Sequence, residues 1–104
     1  MYIKTVTLAG APQKIDFGGM SAAKWYVKNW SGGDIYCCFQ PETVSDDDVN
    51  VSWTPCVADA DGVAKLAADM WEEYYEWSPA PLKVWKHQNH IWVSGTGKVE
   101  VRLK

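Results

Sequence analysis

The segment Trp25-Tyr26-Val27-Lys28-Asn29-Trp30, Ser31-Gly32-Gly33, Asp34-Ile35-Tyr36-Cys37-Cys38-Phe39 sets two aromatic, β-prone runs on either side of a short glycine link. Runs of this kind, joined by a Gly-rich connection, predict an antiparallel hairpin. Side chains alternate across a strand, so Trp25 and Val27 share one face. Ile35, Cys37 and Phe39 share one face of the second run. These residues are predicted to be buried, with Tyr26, Lys28, Tyr36 and Cys38 turned the other way.

The C-terminal segment repeats the logic. Ile91-Trp92-Val93-Ser94 and Lys98-Val99-Glu100-Val101-Arg102-Leu103 flank Gly95-Thr96-Gly97. Val99, Val101 and Leu103 alternate with Lys98, Glu100 and Arg102, the pattern of a sheet with one packed and one wet face. A second hairpin over 91–103 is expected. Towards the N-terminus, Ile3 to Leu8 reads as a strand and Ile15 to Phe17 as a short extended piece, with a turn at Gly18-Gly19. Val49, Val51 and Trp53 alternate with Asn50, Ser52 and Thr54, predicting a further strand that Pro55 closes. Leu82 to Lys86 reads as a short strand after the rigid connector Pro79-Ala80-Pro81, and residues 87–90 as a turn. One stretch breaks the β pattern: Val63, Leu66, Ala67, Met70, Trp71 and Tyr74 fall at amphipathic-helix spacing, so the local periodicity predicts a helix over 63–74.

Composition sets the bounds. The 104 residues are 47% hydrophobic and 22% charged, enough to fill the core of one domain spanning 1–104. No apolar run approaches the roughly 18 residues of a membrane span, and the start lacks the apolar core of a signal peptide. Membrane association is not expected. Cys37, Cys38 and Cys56 are an odd set, and neighbours on a strand point to opposite faces, so free thiols in a reducing compartment are the simplest account. Cys37, in an apolar run, reads as a small core residue.

Charge is unevenly distributed. From Asp34 to Glu76 there are eleven acids and one base, Lys65, a balance of −10; the two ends carry nine bases against Asp16 and Glu100, a balance of +7. One reading is a mixed solvated surface. The other is a bipolar molecule that stacks head to tail with its own copies, since opposite potentials steer encounter. Bases scattered along strands in an acidic chain disfavour nucleic acid as a partner.

Motifs for catalysis are missing. His87 and His90 are three apart but have no CxxC or HExxH partner, so a metal-dependent enzyme is the weakest reading. Asp46-Asp47-Asp48 and Asp59-Ala60-Asp61-Gly62 lack the spaced oxygen ligands and closing Glu of a calcium loop. There is no GxSxG elbow and no phosphate loop. No catalytic residue, cofactor or metal site is expected, and the chain reads as a non-enzyme.

Seven Trp and five Tyr are the strongest remaining signal. Trp92 is out of phase with Ile91 and Val93, and Trp30 sits at a link. Outward rings at Trp30, Tyr36, Trp77 and Trp92 are the candidate interface residues, because rigid aromatics supply large contact area. The same rings would suit stacking on a sugar, and burial under a second layer is the plain structural alternative.

The two segments quoted above resemble small proteins encoded in phage and prophage structural-gene clusters of gut bacteria, head-fibre or virion-associated β modules. The resemblance runs from about Ile15 to Leu103. It implies that Asp61 to Leu66 is a strand, followed by a tight turn near Ala67-Ala68-Asp69 and a strand from Trp71 to Trp77, against the helix of the local periodicity. The family usually has Pro or Gly at that turn, where this chain has Ala68 and Asp69. It also implies a virion protein, made in the bacterial cytoplasm, with other phage structural proteins as partners. No site residues come with it.

The expectation is thus a mainly-β domain, an antiparallel β-sandwich or jelly-roll-like barrel with at most one short helix around 63–74. Val27, Ile35, Cys37, Val93, Val99 and Val101 should lie in its core. The expected function is structural, through self-association, with a trimer as one outcome. The alternative is a carbohydrate-binding module using exposed Trp and Tyr.

Overall fold

Each alternating run finds its partner far away in sequence. The computed structural model describes residues 2–20, 24–78, 82, 84 and 88–103. Among these lie eight strands: β1 (Tyr2–Ala9), β2 (Gln13–Asp16), β3 (Lys24–Asn29), β4 (Ile35–Cys38), β5 (Val63–Leu66), β6 (Trp71–Tyr75), β7 (His90–Ser94) and β8 (Thr96–Leu103). They form two four-stranded antiparallel sheets, ordered β1-β8-β3-β6 and β2-β7-β4-β5. We call them sheet A and sheet B. The pairings are nested: β1 with β8, β2 with β7, β3 with β6 and β4 with β5. Two further pairings, β3 with β8 and β4 with β7, complete the sheets. The result is a two-layer β-sandwich.

The inward residues are those the alternation selects. Val27, Ile35, Cys37, Val93, Val99 and Val101 are fully buried, together with Trp25 and Ile91. Trp25 is the largest of them. Its ring meets Phe17 and Phe39 edge-on, at centroid distances of 5.6 and 5.4 Å. A fully buried Trp of this kind removes roughly 150–250 Å² from water. Leu82 and Val84 also join the core. Of the strand expected over Leu82–Lys86 only Leu82 and Val84 are described, and neither is in a strand; the connector at 79–81 and His87 lie outside the described residues, and the turn expected over 87–90 gives way at His90 to the start of β7.

Both expected hairpins are corrected. Strand β3 lies in sheet A and β4 in sheet B, and β7 and β8 divide the same way. The links 30–34 and Gly95 are therefore arches that carry the chain across the core from one sheet to the other. Hairpin and arch share one sequence pattern, because in both the inward residues of two consecutive runs meet. They differ in whether the hydrogen bonds join those runs or go to distant strands. The two arches pack on each other, which explains the Gly-Thr-Gly motif. A Cβ at Gly97 would stand 2.6 Å from that of Ser31, and one at Gly95 would stand 2.8 Å from the Ile35 side chain. Both glycines also have positive φ, 119° and 143°, a region that side chains disfavour.

A buried amide ties the arches to a third link. Asn29, at the end of β3, is fully buried. Its Nδ2 donates to the carbonyls of Gly33, Leu66 and Ala67, at 2.8, 3.0 and 3.0 Å. Its Oδ1 accepts from the Ser31 amide at 2.9 Å and from the Ser31 hydroxyl at 2.6 Å.

The helix expected over 63–74 is replaced by β5, a turn and β6, the arrangement that the resemblance implied. Ala64, Leu66 and Tyr74 are buried, while Ala67, Met70 and Trp71 of the supposed helical stripe are exposed. Two short strands with a corner between them imitate a 3.6-residue period. Asp69 takes the left-handed turn position, with φ 63°, which Asp tolerates better than most residues. The strand expected over Val49–Thr54 is likewise absent: Val49 and Trp53 form an isolated bridge, Asn50 has φ 69° and Val51 is exposed. A 3₁₀ turn at Asp46–Asp48 precedes it. Among the described residues no helix is long and apolar enough to cross a membrane.

Candidate interaction surface

The two outer faces of the sandwich have opposite characters. On sheet A, register sets Tyr26 beside Arg102 and Glu73, Lys28 beside Glu100 and Trp71, and Lys24 beside Tyr75. Rings and charges alternate across three strands. The Tyr26 and Trp71 rings stack at 5.5 Å with 29° between their planes. The Arg102 guanidinium lies 5.1 Å from the Tyr26 centroid, and Lys28 and Lys98 lie 4.7 and 6.0 Å from that of Trp30. Lys24 sits 5.7 Å from the Tyr75 ring and 3.7 Å from the Glu73 carboxylate. Cations at these distances from the ring centroids are attracted to the π electrons, which helps to hold the rings in place. Glu100 joins in by accepting from Trp30 Nε1 at 3.4 Å and pairing with Arg102. Trp30 and Trp71 remain 51% and 54% exposed. Four bases (Lys24, Lys28, Lys98, Arg102) face two acids here (Glu73, Glu100), so the face is net basic.

Sheet B is covered by the chain itself. Residues 39–62 leave β4, cross its outer face and return to β5. Gln40 is the bolt: its Nε2 donates to the Val44 carbonyl at 2.9 Å and to Asp46 at 3.1 Å, and its Oε1 accepts from Trp92 Nε1 at 3.3 Å. His90 Nε2 lies 3.3 Å from the same oxygen. Trp53 packs edge-on against Trp92 at 6.4 Å. Lys14 reaches Asp46 at 3.7 Å. Hydrogen bonding from Gln40, with Lys14 nearby, holds the Asp46 carboxyl below its usual range. Partial burial, helped by Lys14, lowers the proton affinity of His90. The segment carries Glu42, Asp46, Asp47, Asp48, Asp59 and Asp61 and no Lys or Arg. Its outer side is strongly acidic.

The four expected interface residues therefore do not converge. Trp30 lies in the ring array of sheet A. Tyr36 is half-buried on sheet B, opposite Ser94 and Lys65. Trp92 points outward from sheet B as its phase requires, but is half-buried against Trp53. Trp77 is 83% exposed in the turn after β6. Tyr26, Trp71 and Tyr75 complete the array and lie outside that set of four. Tyr26 was legible from its phase with Lys28, whereas Trp71 was absorbed into the supposed helix. Of the two histidines, His90 opens β7 with Nδ1 2.8 Å from Asn89 Oδ1, and His87 lies outside the described residues. Among the described residues, no group of three or more His, Cys, Asp or Glu is placed to hold a metal ion.

Comparison with known proteins finds no matching family model, no matching curated protein and no matching solved structure. This overturns the attribution to phage, prophage and virion proteins, which rested on short alternating runs beside glycine links; such runs recur wherever β-strands meet tight connections.

Proposed function

We propose that this chain is a non-catalytic assembly module whose copies associate head to tail, the ring-bearing basic face of sheet A docking on the acidic 39–62 segment of the next copy. One observation carries the reading: the two outer faces of a single small sandwich are complementary in charge, and one of them presents rigid, exposed rings. Opposite potentials raise encounter rates and fix orientation, and aromatic residues with Arg dominate the energetics of interfaces. A heterologous contact of this type closes into a ring, a trimer among the options, or grows into a filament. We further propose that the sandwich is a jelly roll; nested pairing of the first strand with the last, the second with the seventh and so inward supports this, as expected for one long antiparallel ribbon folded over itself.

Light scattering against salt tests the docking. Charges on exposed faces are screened over about 10 Å at 0.1 M salt and about 3 Å at 1 M. Association should therefore be strongest at low salt and fall steeply towards 1 M. Trp71→Ala should weaken it by about 2 kcal/mol, the size of a central aromatic anchor. A protein that is monomeric at low salt and high concentration contradicts the proposal.

A second reading, a carbohydrate-binding module, is favoured by the stacked Tyr26 and Trp71 rings on an open sheet face beside Trp30. It predicts quenching of tryptophan fluorescence by oligosaccharides, lost in Trp71→Ala, with no dependence on protein concentration.

A further inference from the structure

Two of the three cysteines meet where the 39–62 segment crosses sheet B. Cys38 ends β4 on the outer face of sheet B, where the crossing segment buries it to 2% exposure, while its neighbour Cys37 is fully buried in the core. Cys56 comes down from the crossing segment to place its Sγ 3.4 Å from that of Cys38. The Cys56 amide also donates to the Cys38 sulfur, at 3.2 Å. Cys56 is held at φ 58°, a left-handed conformation that side chains disfavour. The preceding Pro55 is fully buried. The segment thus seats one thiol directly on another, at the price of local strain.

We propose that Cys38 and Cys56 form a dithiol site that a small-molecule disulfide of the glutathione type converts to an intramolecular disulfide, locking residues 39–55 onto sheet B. The electrons balance in two exchanges. When the crossing segment lifts from sheet B, Cys38 gives its proton to solvent and its thiolate attacks one sulfur of the oxidant; the oxidant's S–S bond breaks and one small thiolate leaves. Cys56 then gives up its proton and attacks the Cys38 sulfur of the mixed disulfide, expelling the second small thiolate. Two protein thiols are oxidised and one small disulfide is reduced to two thiols. Donation from the Cys56 amide favours Cys38 as the first thiolate. Cys37, facing the opposite side of the strand, takes no part. The site rests on this geometry alone and stands whether or not copies of the chain associate.

The test is incubation of the full-length reduced protein with oxidised glutathione, followed by thiol titration in denaturant, intact mass and peptide mapping. The expected result is a fall from three thiols to one, a mass lower by two hydrogens, a peptide joining Cys38 to Cys56, and Cys37 left free. Cys56→Ser should stop at the first exchange and hold one glutathione on Cys38, while Cys37→Ala should oxidise like the parent. Closing a loop of this length shifts the closed–open equilibrium by of the order of a hundredfold, so an aspartate-specific protease should cut the oxidised loop correspondingly more slowly. An unchanged thiol count, a lasting glutathione adduct on the parent protein, or a bridge involving Cys37 overturns the site. Equal cleavage of both forms overturns the lock.

Discussion

Replacing Asn29 with Ala should unlock the corner where three inter-sheet links meet. The two Nδ2 hydrogens serve the carbonyls of Gly33, Leu66 and Ala67, and Oδ1 accepts twice from Ser31. That is about four full hydrogen bonds, each with a net value of about 1 kcal/mol. The substitution also leaves the buried Ser31 amide and the Leu66 carbonyl without this partner, which adds to the cost. Water entering the vacated space recovers part of it. The expected loss is about 3–5 kcal/mol, a large share of the roughly 5–15 kcal/mol that holds a domain of this size. Urea unfolding, followed by tryptophan fluorescence and by circular dichroism, measures it as a shift of the midpoint at constant slope. Asn29→Asp provides a control of nearly equal volume. It keeps the acceptor for Ser31 but turns a second oxygen towards three carbonyls, so it too should be destabilising at neutral pH. A loss below about 1 kcal/mol for Asn29→Ala would refute the idea that this amide ties the links together.

The remaining expectations concern the arches and the covered face. Gly97→Ala forces a side chain onto positive φ and against Ser31 and should cost about 2–4 kcal/mol; Gly32→Ala, with open space around it, should stay within about 0.5 kcal/mol in the same unfolding assay. Trp25→Ala, which empties the core between Phe17 and Phe39, should cost about 3–5 kcal/mol, whereas Trp71→Ala should leave the unfolding midpoint nearly unchanged; similar losses at both would contradict the assignment of faces. His90 binds its proton less readily in the folded chain than its ordinary value of 6.5, so its contribution to stability is present above pH 6.5 and is lost as pH falls through the folded value. Unfolding across this range should show that acid limb, and His90→Gln should remove it, leaving the later limb below pH 3.8 to which Asp46 contributes.

Much of the sandwich is legible from alternation. The inward sets on β3, β4, β7 and β8 follow from a two-residue period, because a slip of one residue would expose Val99 and Val101 and bury Lys98 and Glu100. The phase of Trp92 and the opposition of Cys37 to Cys38 follow for the same reason. Pairing does not, because it is non-local: nothing within 25–39 says that β3 bonds to β6 and β8 while β4 bonds to β5 and β7. The 63–74 stretch misleads because a corner between two short strands shifts phase by enough to imitate a helix. Val49, Val51 and Trp53 alternate in sequence, but the left-handed Asn50 and the turn around Asp48 break the strand geometry. The segregation of charge is visible in the sequence as an acidic middle and basic ends. That the acids of residues 39–62 cover one outer face, and that rings punctuate the bases on the other, follows only from the crossing of that segment over sheet B.

Mixing two half-blind variants tests head-to-tail docking most directly. The first, Lys98→Glu with Trp71→Ala, spoils the ring face and leaves the acidic segment intact; the second, Asp47→Lys with Asp61→Lys, does the reverse. Sedimentation velocity at low salt should find each variant monomeric alone and the mixture forming a one-to-one complex that grows no further, since each copy keeps one working face. A mixture that remains monomeric, or single variants that assemble as well as the parent, would contradict it.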